Sequence, residues 1–130
     1  MTVLLSYTPS PQGEAAVPAA IRQAELRQVP LVVLNVVRGG ALVENSAGTE
    51  ADLARVIAAA QAAGVEATAL QVEDQDVASG ILKAVESHDA DLLVIGLRRR
   101  SPVGKLLMGS VGQRLLLDAP CEVLTVKPSA

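Results

Sequence analysis

The sequence predicts an α/β fold: a doubly wound parallel sheet of five strands with helices on both faces. Two patterns predict it. Five short runs rich in Val, Leu and Ile recur along the chain, and stretches with helical spacing separate them. The chain has 130 residues, one domain's worth, and half of it is apolar. Nearly all of that half is Ala, Val, Leu and Ile; there is no Phe or Trp, and Tyr7 is the single aromatic residue. A core without aromatic rings depends on interlocking branched aliphatics, which suits strands covered by Ala-rich helices.

The elements follow in order. The first strand is read at Val3–Tyr7. Ser10 and Pro11 then supply an N-cap and a proline in the first helical turn. Val17, Ala20, Ile21 and Ala24 mark that helix's apolar stripe. Pro18 falls inside the stripe and is expected to kink the helix or push its start forward. The second strand is Leu31–Val37, and Arg38–Thr49, with Gly39-Gly40 and Asn45-Ser46, reads as a flexible loop. Leu53, Val56, Ile57 and Ala60 mark a second helix, which Gly64 closes before a third strand at Val65–Val72. Val77, Ile81, Ala84 and Val85 form the third helical stripe, and the fourth strand is Asp91–Ile95. Val111, Leu115 and Leu116 indicate a shorter fourth helix before a last strand at Glu122–Val126.

Near-continuous hydrophobicity within the runs points to strands buried on both faces, as in parallel sheets. Strands alternating with helices imply right-handed crossovers that place helices on both faces. The expected architecture is Rossmann-like, with strand order 3-2-1-4-5 and two helices on each face. No repeat or linker interrupts it, so residues 1–130 are expected to form a single domain.

Composition narrows the function. Mean hydropathy is +0.37, yet no apolar run approaches the roughly 20 residues that span a bilayer. The start, MTVLLSYTPSPQGE, lacks a basic segment and a long apolar one, so no signal peptide is expected and the cytoplasm is the expected location. Cys121 is the single cysteine and His88 the single histidine, which argues against disulfides and zinc chemistry. Cys121, just before an apolar run, reads as a small buried hydrophobe, and His88 as a solvent-facing or capping residue near a helix end. The net charge of −3 argues against nucleic acid and membrane surfaces as partners. Against it stand Arg98, Arg99, Arg100 and Lys105.

In open α/β sheets ligands bind beyond the carboxyl ends of strands, where the winding direction reverses. That restricts the search to Tyr7–Gly13, Val36–Gly40 and Gly96–Ser110. The third stretch is long, with about thirteen residues between strand and helix, and such connections are usually functional or disordered. It opens on Gly96 and closes on Gly109-Ser110, two places where a backbone can approach a ligand closely. A helix starting near Ser110 would aim its free amides and positive dipole end at the crevice, as a phosphate requires. Ser110 is suited to cap that helix, to bond a phosphate oxygen, or to do both.

On these residues the chain resembles the universal stress protein family. The family's nucleotide motif is Gly, two residues, Gly, nine residues, then Gly followed by Ser or Thr. Gly96 matches its first glycine and Gly109-Ser110 its closing pair at the same overall length. The flanks DLLVIG and DAPCEVLTVK, the first strand and the LNVV of Leu34–Val37 extend the resemblance over essentially the whole chain. It implies ATP as ligand, with any Mg²⁺ held by the phosphates. By the motif, Gly96, Arg98, Gly109 and Ser110 stand beside the phosphates, and the main chain of Val36 meets the adenine.

Two positions depart from the pattern. Arg99 stands where the motif has its second glycine. If that position needed a positive φ, arginine would cost about 1–2 kcal/mol, while a guanidinium beside phosphate oxygens offsets this with about 1.5–3 kcal/mol. Many members end the first strand in Asp followed by Gly-Ser; here Thr8-Pro9-Ser10 keeps only the serine. Thr8 still offers a hydrogen bond to ribose or base. Gly104-Lys105 is not a P-loop, because the preceding glycine lies eight residues upstream rather than five and no Ser or Thr follows.

No residue pair forms a nucleophile and its base, and no nucleophile elbow is present. Glu73, Asp74 and Asp76 read as a charge bias at a helix start, and Thr8-Pro9 replaces the acidic pair of a receiver domain. Flavin and RNA would call for stacking aromatics that the chain lacks. The expectation is a binder with at most slow ATP turnover: an ATP-binding regulatory dimer, or alternatively an interaction protein of the same fold that has lost the nucleotide. The apolar last strand, Glu122–Val126, is expected at a sheet edge, where antiparallel pairing with a second copy would form a homodimer.

Overall fold

A computed structural model describes residues 1–38, 41–100, 105–107 and 109–128; the side chains of 41–49, 99–100 and 105–107 lie outside the described residues. The chain runs β1 (Thr2–Ser6), α1 (Pro11–Arg27), β2 (Leu31–Val37), α2 (Ala41–Ala62), β3 (Ala67–Glu73), α3 (Val77–Ser87), β4 (Ala90–Gly96), β5 (Arg98–Arg100), β6 (Lys105–Leu107), α4 (Ser110–Asp118) and β7 (Glu122–Val126). The main sheet is parallel throughout and ordered β3-β2-β1-β4-β7, the order expected for five strands.

The pleat sorts alternate residues to two cores. Val3, Leu5, Tyr7, Leu31, Val33, Leu92 and Val94 face α1 and α2, meeting Ala16, Val17, Ala20, Leu53, Val56 and Ala60. Leu4, Val32, Leu34, Leu93 and Ile95 face α3 and α4, meeting Ala78, Ile81, Ala84, Val85 and Leu115. Two helices therefore cover each face. Alanines on α1 bring that helix close to a sheet of branched aliphatics, and the core closes without rings other than Tyr7.

Local chemistry ends the helices where the sequence indicates. The Ser10 hydroxyl accepts from Gly13 N–H at 3.1 Å, with Pro11 as the first helical residue. Gly64 has φ +81° and sits at the left-handed end of α2. There Val65 N–H reaches the Ala60 carbonyl and Gly64 N–H that of Gln61, the paired closure of a helix end. That closure removes Val65 from the ladder, so β3 starts two residues later than the apolar run predicts. His88 ends α3, with Nδ1 3.1 Å from the Ala84 carbonyl oxygen.

Three expectations need correction. Pro18 does not push the start of α1 forward, since the helix begins at Pro11; it lies exposed inside the helix, where water can serve the Glu14 carbonyl that loses its partner. Of the loop expected at Arg38–Thr49, residues 41–49 are helical backbone instead, and Gly39-Gly40 lie outside the described residues. Helix propagation from the strong segment beyond Thr49 outweighs the weak propensities of Asn45, Ser46 and Gly48. The connection after β4 is not structureless either. β5 and β6 pair antiparallel, Arg98 opposite Leu107, Arg99 opposite Leu106 and Arg100 opposite Lys105.

Candidate functional site

β1 and β4 are neighbours in the sheet, yet the chain leaves β1 for α1 on one face and reaches α4, after β4, on the other. Between them, at the carboxyl ends of the strands, lies a cavity of about 250 Å³. Its floor is apolar, with Val77 and Ile81 of α3, Ile95 of β4, and Val111 and Leu115 of α4. Thr8, Gln12, Arg98 and Gly109 supply its polar rim.

Glycines let the backbone segments meet here. A Cβ on Gly13 would stand 1.8 Å from the Thr8 carbonyl oxygen, and one on Gly96 would stand 2.2 Å from that of Gln12. The end of β1, the first turn of α1 and the end of β4 are thus in direct main-chain contact. Gly96 is required by this packing of protein on protein, and it also lines the crevice.

Gly109 differs. It has φ −68° and is the N-cap of α4, with no side-chain cap. The first intrahelical bond runs from Gln113 N–H to the Gly109 carbonyl at 3.0 Å, so the amides of Ser110, Val111 and Gly112 precede the helical ladder. A Cβ on Gly109 would lie 3.2 Å from Nη2 of Arg98. The guanidinium therefore hangs over the positive end of a helix, and an anion between the two would satisfy both.

Of the residues singled out by sequence, the crevice brings together Thr8, Gly96, Arg98 and Gly109. Ser110 is the first helical residue and not the cap; it is exposed at the head of α4. The backbone of Arg99 belongs to β5. An extended residue carries no left-handed strain, so the penalty considered for replacing glycine there does not arise; the side chain lies outside the described residues. Val36 is not part of the lining. Tyr7 N–H donates to the Leu34 carbonyl at 2.8 Å. Two residues on, the N–H and C=O of Val36 face the same side, where the first strand has already turned away at Thr8.

Several neighbours were not legible as site residues. Asn35 is the sole polar residue among the buried core side chains described; its Nδ2 donates to the Tyr7 carbonyl at 3.0 Å and its Oδ1 accepts from Gln71 at 3.2 Å. It fixes the end of β1 beside the crevice. A lone amide inside LNVV was the available signal. Gln12 and Gly13 carry only the weaker signal of following a strand end.

Two ionic clusters brace the surroundings. Tyr7 donates to Glu14, and Arg55 donates to the same Glu14 oxygen at 2.7 Å. Burial, reinforced by Glu14, pushes the Tyr7 hydroxyl above its usual range, and the Arg55 hydrogen bond holds Glu14 below its own. Across the other face, Asp76 caps α3 through Ser79 N–H and pairs with Arg114 of α4 at 2.6 Å. The Arg114 and Ser79 hydrogen bonds lower the Asp76 carboxyl to about 2. Of Glu73, Asp74 and Asp76, where a charge bias was expected, Asp76 is thus both the cap of α3 and a brace between α3 and α4, while Asp74 accepts from Asp76 N–H and pairs with Lys83. Cys121 is half-buried on this face, and burial raises its thiol pKa. No helix among the described residues is long and apolar enough to cross a membrane.

Comparison with known proteins agrees with this architecture. The model of the universal stress protein family matches residues 1–127. A universal stress protein of Mycolicibacterium smegmatis is 43% identical over 126 residues, 97% of each chain. The structure of a universal stress protein from Archaeoglobus fulgidus superposes with a TM-score of 0.83 at 28% identity, again over 97% of each chain. A structure of the universal stress protein from Archaeoglobus fulgidus in complex with dAMP superposes with a TM-score of 0.78 at 23% identity, covering 97% of this chain and 96% of that one. With the strand order, the glycine spacing and a match along nearly its whole length, the chain belongs to the universal stress protein family.

Proposed function

We propose that the protein is a cytoplasmic, ATP-binding regulatory protein of the stress response that acts as a nucleotide-modulated homodimer. One observation carries the ligand reading: the Arg98 guanidinium stands beside Gly109 at the uncapped head of α4, over an apolar-floored crevice at the switch point of the sheet. Arg98, with Arg99, neutralises the phosphates. Gly109 admits them to the amides of α4, and Ser110 bonds a phosphate oxygen. Thr8 serves the ribose or base, and the Val36 main chain the adenine, while Gly96 seats the first turn of α1 that walls the crevice. The dAMP complex of the Archaeoglobus fulgidus protein supports an adenine nucleotide as the ligand class. No residue is assigned as a catalytic base.

Isothermal titration with ATP tests the reading on the native chain and on Gly109→Asp. Aspartate is a favoured N-cap, so the variant keeps its helix while its carboxylate occupies the anion position. Heat from the native protein that the variant lacks is expected. No heat from the native protein at millimolar ATP would leave an interaction protein with a vestigial pocket.

The dimer reading rests on β7. It is the edge of the main sheet, pairs among the described residues with β4 alone, and is only partly covered from Val123 to Val126. An apolar edge of this kind invites antiparallel pairing with a second copy. Sedimentation should show a dimer; monomer alone at high micromolar concentration refutes it.

A further inference from the structure

The family resemblance brings Mg²⁺ with ATP, and the residues around the crevice do not fit that metal. From Gly96 to Leu117 the chain has Arg98, Arg99, Arg100, Lys105 and Arg114 and no Asp or Glu, in a protein of net charge −3. Among the described lining residues Arg98 is the one charged group. The side-chain oxygens there belong to Ser6, Thr8 and Gln12, and the Thr8 hydroxyl already pairs with that of Ser10 at 2.7 Å. Carboxylates on the flanking elements are engaged elsewhere: Asp76 with Arg114 at 2.6 Å, Asp74 with Lys83 at 3.4 Å, and Glu14 with Arg55 at 2.7 Å. No group of three or more metal-ligating side chains exists among the described residues.

Mg²⁺ beside a nucleotide is ordinarily held by one or two carboxylates together with the phosphates. A guanidinium and helix amides bind the same phosphate oxygens directly. With Arg98 3.2 Å from the position of a Gly109 Cβ, a guanidinium and the head of α4 already stand together as donors for phosphate oxygens. Cation and protein therefore compete for one set of oxygens.

We infer that this site takes its phosphate ligand free of metal, Arg98 and the head of α4 doing the neutralising that Mg²⁺ does elsewhere. Mg²⁺ then weakens ATP binding. A nucleoside monophosphate, which holds Mg²⁺ poorly, becomes the favoured ligand in solutions that contain the cation. The inference rests on the nucleotide reading of the crevice.

Titration calorimetry of the full chain with ATP and with AMP tests it, each run in EDTA and in excess MgCl₂ at ionic strength matched with KCl. The Kd for ATP should rise about tenfold with Mg²⁺, the worth of one bond to a charged group. That for AMP should move by less than about twofold, since the monophosphate carries little metal. Arg98 is exposed, so Arg98→Ala should fold normally, bind both nucleotides more weakly and lose most of the Mg²⁺ penalty. Binding of ATP that Mg²⁺ strengthens or leaves unchanged overturns the inference and spares the nucleotide reading. No heat from either nucleotide in EDTA overturns both.

Discussion

Replacing Gly96 by alanine separates the two uses of the motif glycines. A Cβ at Gly96 would stand 2.2 Å from the Gln12 carbonyl oxygen and 2.8 Å from its carbon. Ordinary contact begins at about 3.5 Å, so the end of β4 and the first turn of α1 must part by more than about 1 Å. Neither side yields easily. Gly96 is in register with Val126 of β7, and the turn is held by the Ser10 cap and by Gly13, itself against Thr8. Lifting α1 would loosen Ala16, Val17 and Ala20 from the buried face of Leu5 and Val94. Overpacking of a core costs about 1–3 kcal/mol, and the upper end is expected because both clashing partners are backbone. With a urea m-value of about 2 kcal/mol/M, the unfolding midpoint should fall by roughly 1–1.5 M. Gly109→Ala is the control. Its Cβ would meet only the flexible end of Arg98, so it should lose about 1 kcal/mol or less while nucleotide affinity changes. A midpoint for Gly96→Ala within about 0.2 M of the native value would refute the packing account and return Gly96 to the ligand.

Two further outcomes follow from the caps and the brace. Asp76 has its carboxyl pKa lowered from an ordinary 3.8 to about 2 in the folded chain by the Arg114 and Ser79 hydrogen bonds, so its contribution is complete above about pH 4 and is lost as pH falls through 2. Asp76→Asn should therefore lower the urea midpoint at pH 6, and the difference from the native protein should shrink on titration toward pH 2; a difference that is constant with pH would refute the pairing with Arg114. Ser10→Ala removes the acceptor of Gly13 N–H and should cost about 1 kcal/mol by chemical denaturation, with no loss detected counting against the cap.

Much of the fold could be read from the chain because its signals are local. Apolar runs such as Leu31–Val37 have the length and branching of buried strands, and the stripe Val77, Ile81, Ala84, Val85 has the period of a helix. Ser10-Pro11 and Gly64 mark ends through their own backbone and side-chain chemistry. The misreadings arose where local signals were weak or overridden. Asn45-Ser46 suggested a loop where a strong helix propagates backwards. The β5–β6 pairing depends on two three-residue segments, and their lengths carry no periodicity to detect.

Local chemistry along the chain set the alternation of strands and helices, the caps at Ser10 and Gly64, and the spacing that places Gly96, Gly109 and the arginines on one connection. Tertiary structure decided what those residues do. Gly96 became a contact for Gln12, Gly109 a seat beneath Arg98, and Asn35 a clasp on the end of β1. Each of these joins segments distant in sequence, some as far apart as Gln12 and Gly96. A residue's period and propensity report only on its near neighbours, whereas a contact across the sheet depends on the packing of every element between.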